Sequence, residues 1–248
     1  MQMPAIIAHR GASAEAQENT LTAFALAADQ GATLWEIDVR RTGDGALVVF
    51  HDETTERFEP IGRPLCALTL GQLRRIDLGG ERVPTLDEVC ALARERGCGL
   101  NVELKEVGYE EQVAYTLARH GLYDQAIVSS FYDEALLRLR AAAPALPRGL
   151  LMGVQRLDPR IRWREARPLA ALRRVEATAW HPHFRLLLIP GLLRSVLQAG
   201  YQVNVWTVND GSLARRLVAA GVSGLITDIP GTLVAALSNR DSFSRSLA

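Results

Sequence analysis

The chain has 248 residues, enough to bury most of its apolar surface without disulfide staples, and an α/β barrel of roughly 250 residues is a standard solution at this length. Lys plus Arg and Asp plus Glu number 28 each, so no global field draws in nucleic acid or an anionic membrane. No run approaches the roughly 18 apolar residues of a membrane span, and the opening Met1-Gln2-Met3-Pro4 has no leader pattern. The expectation is a cytoplasmic protein without stable membrane association.

Strand-like and helix-like runs alternate along the chain. Ala5–His9 is a first apolar run that leads into Arg10-Gly11, and Leu21–Gln30 follows as a helix, with Thr20 as N-cap and Gly31 just past its end. Leu34–Val39 is the second strand. The tight turn Thr42-Gly43-Asp44-Gly45 joins it to a third run, Leu47–His51, with no helix between. Glu53–Arg82 is punctuated by Pro and Gly and breaks the rhythm, as an insertion would. Helices are then expected at Leu86–Arg96, Tyr109–His120, Asp133–Ala142, Pro190–Ala199 and Leu213–Ala220. Strands are expected at Gly99–Leu104, Ala126–Ser130, Arg148–Met152, Ala177–His181, Gln202–Val208 and Gly224–Thr227, and the Arg-rich 160–174 stretch reads as a solvated helix and loop.

Gly31, Gly97, Gly121, Gly200 and Gly221 each close a helical run just before the next strand, the αβ-loop pattern of a barrel. The predicted fold is a TIM-type (β/α)8 barrel in one domain over 1–238, with a small insertion at about 53–82 after the third strand and a flexible tail at 239–248. Nine strand candidates compete for eight places, so one member of the second and third pair is expected outside the barrel. Cys66, Cys90 and Cys98 form no CxxC and read as buried small hydrophobes in a reducing compartment.

The polar residues at the strand ends carry the chemistry. Glu36 and Asp38 are two apart and share a strand face, opposite Trp35, Ile37 and Val39; Asn101, Glu103 and Lys105 likewise share one. Three carboxylates converging at the C-terminal mouth of a barrel repel one another unless a cation neutralises them, and hard oxygen ligands suit Mg²⁺ or Ca²⁺. His9 and His51 end separate strands and form a natural general acid and base near neutral pH. Arg10 and Lys105 supply positive charge suited to a phosphoryl group, and Gly11 suggests close backbone approach to a ligand. Phe131, His181 and Trp206 are further candidates for the pocket. Asp228 reads as a helix cap, and Asp52 and Arg57 as supports for the loop after His51.

These residues carry a resemblance. The ordered motifs are His9-Arg10-Gly11, Glu18-Asn19-Thr20, Glu36-Ile37-Asp38-Val39, Val49-Phe50-His51-Asp52 with Arg57, and Asn101-Val102-Glu103-Leu104-Lys105. Ser129-Ser130-Phe131, Trp206-Thr207-Val208-Asn209 and Thr227-Asp228 follow. Across nearly its whole length the chain resembles the glycerophosphodiester phosphodiesterases of the short bacterial cytoplasmic type. Gln17 stands where that family usually has Pro. The resemblance implies hydrolysis of a small-molecule glycerophosphodiester to sn-glycerol 3-phosphate and an alcohol. By position it makes His9 and His51 the acid/base pair, Glu36, Asp38 and Glu103 the divalent-metal ligands, and Arg10 and Lys105 the phosphate holders. A lysophospholipase D-type hydrolase on the same scaffold and a non-catalytic binding module are the alternatives. The first would need an apolar groove, from the 53–82 insertion and the Leu186–Ile189 run.

Overall fold

The computed structural model describes residues 3–153 and 159–238. The tail expected at 239–248 lies outside the described residues. Strands β1 (Ala5–His9), β2 (Leu34–Arg41), β3 (Leu47–Val49), β4 (Gly99–Leu104), β5 (Ala126–Ser130), β6 (Arg148–Met152), β7 (Ala179–Pro182), β8 (Gln202–Val205) and β9 (Gly224–Thr227) form one sheet. From β1 the order runs β9, β8, β7, β6, β5, β4, β2, every neighbour parallel, and β2 pairs back onto β1. The result is a closed eight-stranded barrel.

The helices are α1 (Leu21–Asp29), α2 (Leu70–Leu73), α3 (Leu86–Arg96), α4 (Glu110–Arg119), α5 (Asp133–Ala142), α6 (Pro159–Ala166), α7 (Pro168–Arg174), α8 (Leu192–Gln198), α9 (Gly211–Ala219) and α10 (Pro230–Ser238). Their apolar faces meet the outward-facing strand residues. Trp35, fully buried on β2, stacks on Phe24 of α1 with ring centroids 5.3 Å apart. Two large apolar clusters of this kind lie between strands and helices, one around β2, β4 and β5 and one around β6 to β9. The Thr20 hydroxyl caps α1 by accepting from Ala23 N.

The ninth strand is β3, and the edges of β2 explain its place. β1 pairs with β2 only as far as Glu36, whereas β4 follows the other edge up to Val39. The uncovered upper edge, Val39–Arg41, takes β3 antiparallel through the tight turn. β3 therefore stands outside the barrel ring and ends at Val49, so His51 lies two residues beyond the strand rather than at its end. A backbone bond from Phe50 N to Asp38 O (2.8 Å) still ties that segment to β2.

The stretch from 53 to 82 contains α2 and builds a satellite core of Leu65, Leu68, Leu73, Ile76 and Leu78 under Val48 and Phe50. Cys90 and Cys98 are buried, but Cys66 is exposed. Its short 3-10 turn points Leu65 into the satellite core and leaves Cys66 outside. Among the described residues no helix is long and apolar enough to cross a membrane.

Candidate active site

Strand register brings the acidic residues together. β1 pairs His9 with Glu36, and β2 pairs Glu36 with Asn101 and Asp38 with Glu103. With side chains alternating across the sheet, His9, Glu36 and Asn101 form one level of the barrel interior, and Asp38 and Glu103 the next level towards the mouth. One oxygen from each of Glu36, Asp38 and Glu103 falls within 4.8 Å of the others, and all three residues are buried. Burial, together with the Asp38 and Glu103 carboxylates, pushes the Glu36 carboxyl well above its ordinary value. Asp38 goes the other way: burial would raise it, but Lys105 and Arg10 outweigh that and hold it far below the carboxylate range.

Two cations and an amide surround Asp38. Lys105 Nζ lies 2.7 Å from Glu103 Oε1 and 3.2 Å from Asp38 Oδ1. Arg10 Nε lies 3.1 Å from Asp38 Oδ2, and its Nη1 donates to Glu18 Oε2 at 3.0 Å. Asn19 Nδ2 donates to Asp38 Oδ2 at 2.8 Å. Arg10 and Asn19 both have φ of +57°, a conformation rare outside Gly, and such backbone persists only where the surroundings hold it. At Arg10 the hold is its own N–H, which reaches both the backbone oxygen and Oε2 of Glu36. At the position where proline was expected before Glu18, Gln17 O accepts from the Thr20 hydroxyl at 2.7 Å.

Each histidine is held by a carboxylate through Nδ1. His9 Nδ1 donates to Asp228 Oδ1 at 2.6 Å, and His51 Nδ1 to Asp52 Oδ1 at 2.7 Å. An ionised carboxylate can only accept, so this geometry puts the proton on Nδ1 and leaves Nε2 for the site. Asp228 also accepts from Ser13 Oγ and from Asn209 Nδ2; burial alone would raise its carboxyl, but His9, Asn209 and Ser13 together outweigh that and hold it at about 2. Burial pushes the His51 imidazole below its ordinary value, against the opposing pull of Asp38. From His51 a chain of alternating charge runs through Asp52, Arg57 and Glu18 to Arg10, with contacts of 2.7, 2.8, 2.6 and 3.0 Å.

A cavity of about 190 Å³ opens between these groups, lined by His9, Arg10, Glu36, His51, Glu103 and Lys105 on one side. Phe131, Leu151, Trp206 and Ile226 line the rest, with Asn101 and Ser129. Phe131 and Trp206 meet edge to face at 5.7 Å. The side-chain polar atoms of Asn101 and Ser129 Oγ are buried without a protein partner.

Three expectations from sequence change here. His181 is fully buried in the barrel interior and is not among the cavity residues; it meets Asn204, and burial pushes its imidazole down to about 3. Its ring fits because position 149 is glycine, where a Cβ would stand 2.7 Å from the imidazole. Gly11 serves packing: at φ +88° its missing Cβ would meet Ala23 of α1 at 2.7 Å, so the close approach is between helix and loop. Asp228 turns to His9 instead of capping α10. Glu18, Asn19 and Asp228 were legible only as motif letters, Asp228 also as a cap, because Arg57, Asp38 and His9 lie on other segments of the chain.

A barrel whose C-terminal mouth gathers carboxylates, cations and carboxylate-held histidines around one cavity is built as a hydrolase. Residues 9–232 match the model of the glycerophosphoryl diester phosphodiesterase family, and the chain belongs to that family. It is 35% identical over 242 residues to the glycerophosphodiester phosphodiesterase of Caldanaerobacter subterraneus subsp. tengcongensis, covering 92% of this chain and 96% of the relative. Among solved structures it is similar to an Oleispira antarctica phosphodiesterase in complex with the product sn-glycerol-3-phosphate (TM-score 0.81, 31% identity, 96% and 98% of the two chains). It is also similar to the glycerophosphodiester phosphodiesterase of Agrobacterium tumefaciens (TM-score 0.80, 28% identity, 94% and 100%).

Proposed function

We propose that this enzyme hydrolyses glycerophosphodiesters to sn-glycerol 3-phosphate and an alcohol, using a divalent cation and two histidines. The observation that carries this reading is the meeting of Glu36, Asp38 and Glu103 within 4.8 Å beside two imidazoles, each fixed through Nδ1. The donor set fits a hard cation. All three donors are carboxylate oxygens, and Asp38 Oδ1 is buried without a hydrogen bond, so a lone pair is left for a ligand. Mg²⁺ or Ca²⁺ bound there supplies a Lewis acid for a phosphoryl oxygen.

The chain's own residues do the rest. Arg10 and Lys105 bring positive charge to the non-bridging oxygens. One histidine takes the proton of the attacking hydroxyl or water at Nε2, and the other gives a proton to the leaving alcohol. Burial disfavours the charged imidazole of His51 and so favours the neutral form that the base role needs. Asn101 and Ser129 offer their unpartnered polar atoms to substrate hydroxyls, and Phe131 and Trp206 form an apolar wall that keeps water from that side.

No residue of the 53–82 or 186–189 segments lines this cavity, so a small alcohol group fits better than an acyl chain. The test is a coupled assay for released sn-glycerol 3-phosphate across head groups, with and without EDTA and with each metal. Chelation is expected to abolish turnover. His9→Ala and His51→Ala should each lower kcat about 10²–10⁴-fold. Near wild-type turnover in both variants would overturn the acid/base assignment.

A further inference from the structure

Lys105 is the only lysine in the sequence, against 27 arginines. Arginine serves everywhere else, from exposed pairs such as Arg138 with Glu134 to the buried Arg148, which donates to three backbone oxygens. The two side chains share a charge but differ in shape. A guanidinium fork locks onto one set of acceptors, whereas an ammonium is a compact point charge on a flexible stem and passes easily between acceptors.

The place of this single ammonium is specific. It lies against Glu103 Oε1 and Asp38 Oδ1, two of the three carboxylates that fit a divalent cation, and Asp38 Oδ1 has no directed hydrogen bond. A divalent ion on these carboxylates and an ammonium a few ångströms away repel each other, and in a buried site that repulsion is strong. Lys105 also lines the cavity, which gives the ammonium somewhere to go. Arg10 also lies against Asp38, through Nε at 3.1 Å, but it is tied elsewhere as well: its Nη1 is held by Glu18, and its backbone N–H by Glu36.

We propose that Lys105 is a displaceable counter-ion. A divalent cation entering between Glu36, Asp38 and Glu103 takes the two carboxylates from its ammonium, which moves onto an oxygen of the phosphodiester. Metal and phosphate then bind cooperatively, each favouring the arrangement the other needs, and by linkage the effect is reciprocal. The proposal rests on the metal reading above and adds that the lysine changes partner. It also accounts for a lysine at this one position, since a fork clamped on Asp38 and Glu103 would resist exchange.

The single lysine makes the test clean. Acylation of amines, read by peptide mass spectrometry, reports on Lys105 with the chain's α-amine as internal reference. Saturating Ca²⁺ or Mg²⁺, with binding confirmed by calorimetry, should speed acylation of Lys105 about fivefold or more, and added inorganic phosphate should slow it again. By calorimetry Lys105→Met should bind the ion about tenfold more tightly than wild type, and Lys105→Arg no more tightly. If the ion binds but acylation of Lys105 is unchanged or slowed, the displacement is wrong and the metal reading stands. If neither wild type nor a folded Lys105→Met binds either ion, the metal reading falls and this proposal with it.

Discussion

At the scale of single residues, the site works by pairing each functional group with a second one that fixes it. His9 is the clearest case. Its Nδ1 is committed to Asp228, a carboxylate 219 positions away, so the usable nitrogen is chosen by a residue the chain reaches only after closing the barrel. Asp228→Asn presents an amide that can offer either an acceptor or a donor, and the imidazole loses its fixed tautomer. The variant should keep its fold by circular dichroism and lose about 10²–10⁴-fold in kcat, as an acid/base imidazole does when its tautomer is no longer fixed. Wild-type kcat in Asp228→Asn would mean that the tautomer is set by something else.

At the scale of elements, the first loop is held between β1 and α1 by close packing. Gly11 has φ +88° and faces Ala23 with no room for a Cβ, while the same loop carries Arg10 and Asn19 onto Asp38. Gly11→Ala combines left-handed strain with a backbone clash and should cost about 2 kcal/mol or more in denaturant unfolding. Because the clash pushes the loop from α1, turnover should fall too, though no functional side chain is changed. A fully stable, fully active Gly11→Ala would show that the loop has slack. β3 illustrates the same scale differently: it is placed by the edge of β2 that β1 leaves uncovered, and the chain beyond it delivers His51 to the cavity.

At the scale of the whole molecule, stability should respond to cations and to pH. A divalent ion at 100 times its Kd stabilises by about 2.7 kcal/mol, which for a chain of this size raises Tm by roughly 5–10 °C, reversed by EDTA. Thermal melts with each ion check this, and no shift with either would count against the metal site. His181 sets an acid limit. The folded form resists protonation down to about 3, whereas the unfolded form accepts a proton near the ordinary value of about 6.5. Its contribution is therefore fully present above about pH 6.5 and is lost as pH falls from there towards 3. Wild type should lose more stability than His181→Gln between pH 7.5 and pH 5; equal losses would show that other groups govern the acid limb.

Much of this architecture was legible in the residue order. The alternation of apolar runs, the five glycines that close helices, and the i, i+2 spacing of Glu36 with Asp38 and of Glu103 with Lys105 are local signals, and local periodicity specifies both the barrel and the inward face. The identities of the acidic, basic and imidazole groups were legible for the same reason, since chemistry resides in side-chain type. Partnership was not. Which of the second and third strands leaves the ring, that Asp228 holds His9, that Glu18 bridges Arg10 and Arg57, and that His181 sinks into the barrel over Gly149 all depend on register and closure. Most of those contacts join residues dozens to hundreds of positions apart, such as His9 with Asp228 and Glu18 with Arg57, and no short-range pattern encodes them. The sequence by itself determined the barrel strands, most of the helices between them and which chemical groups point inward, though not α2 or α10; only the tertiary structure decided which group neutralises, orients or excludes which.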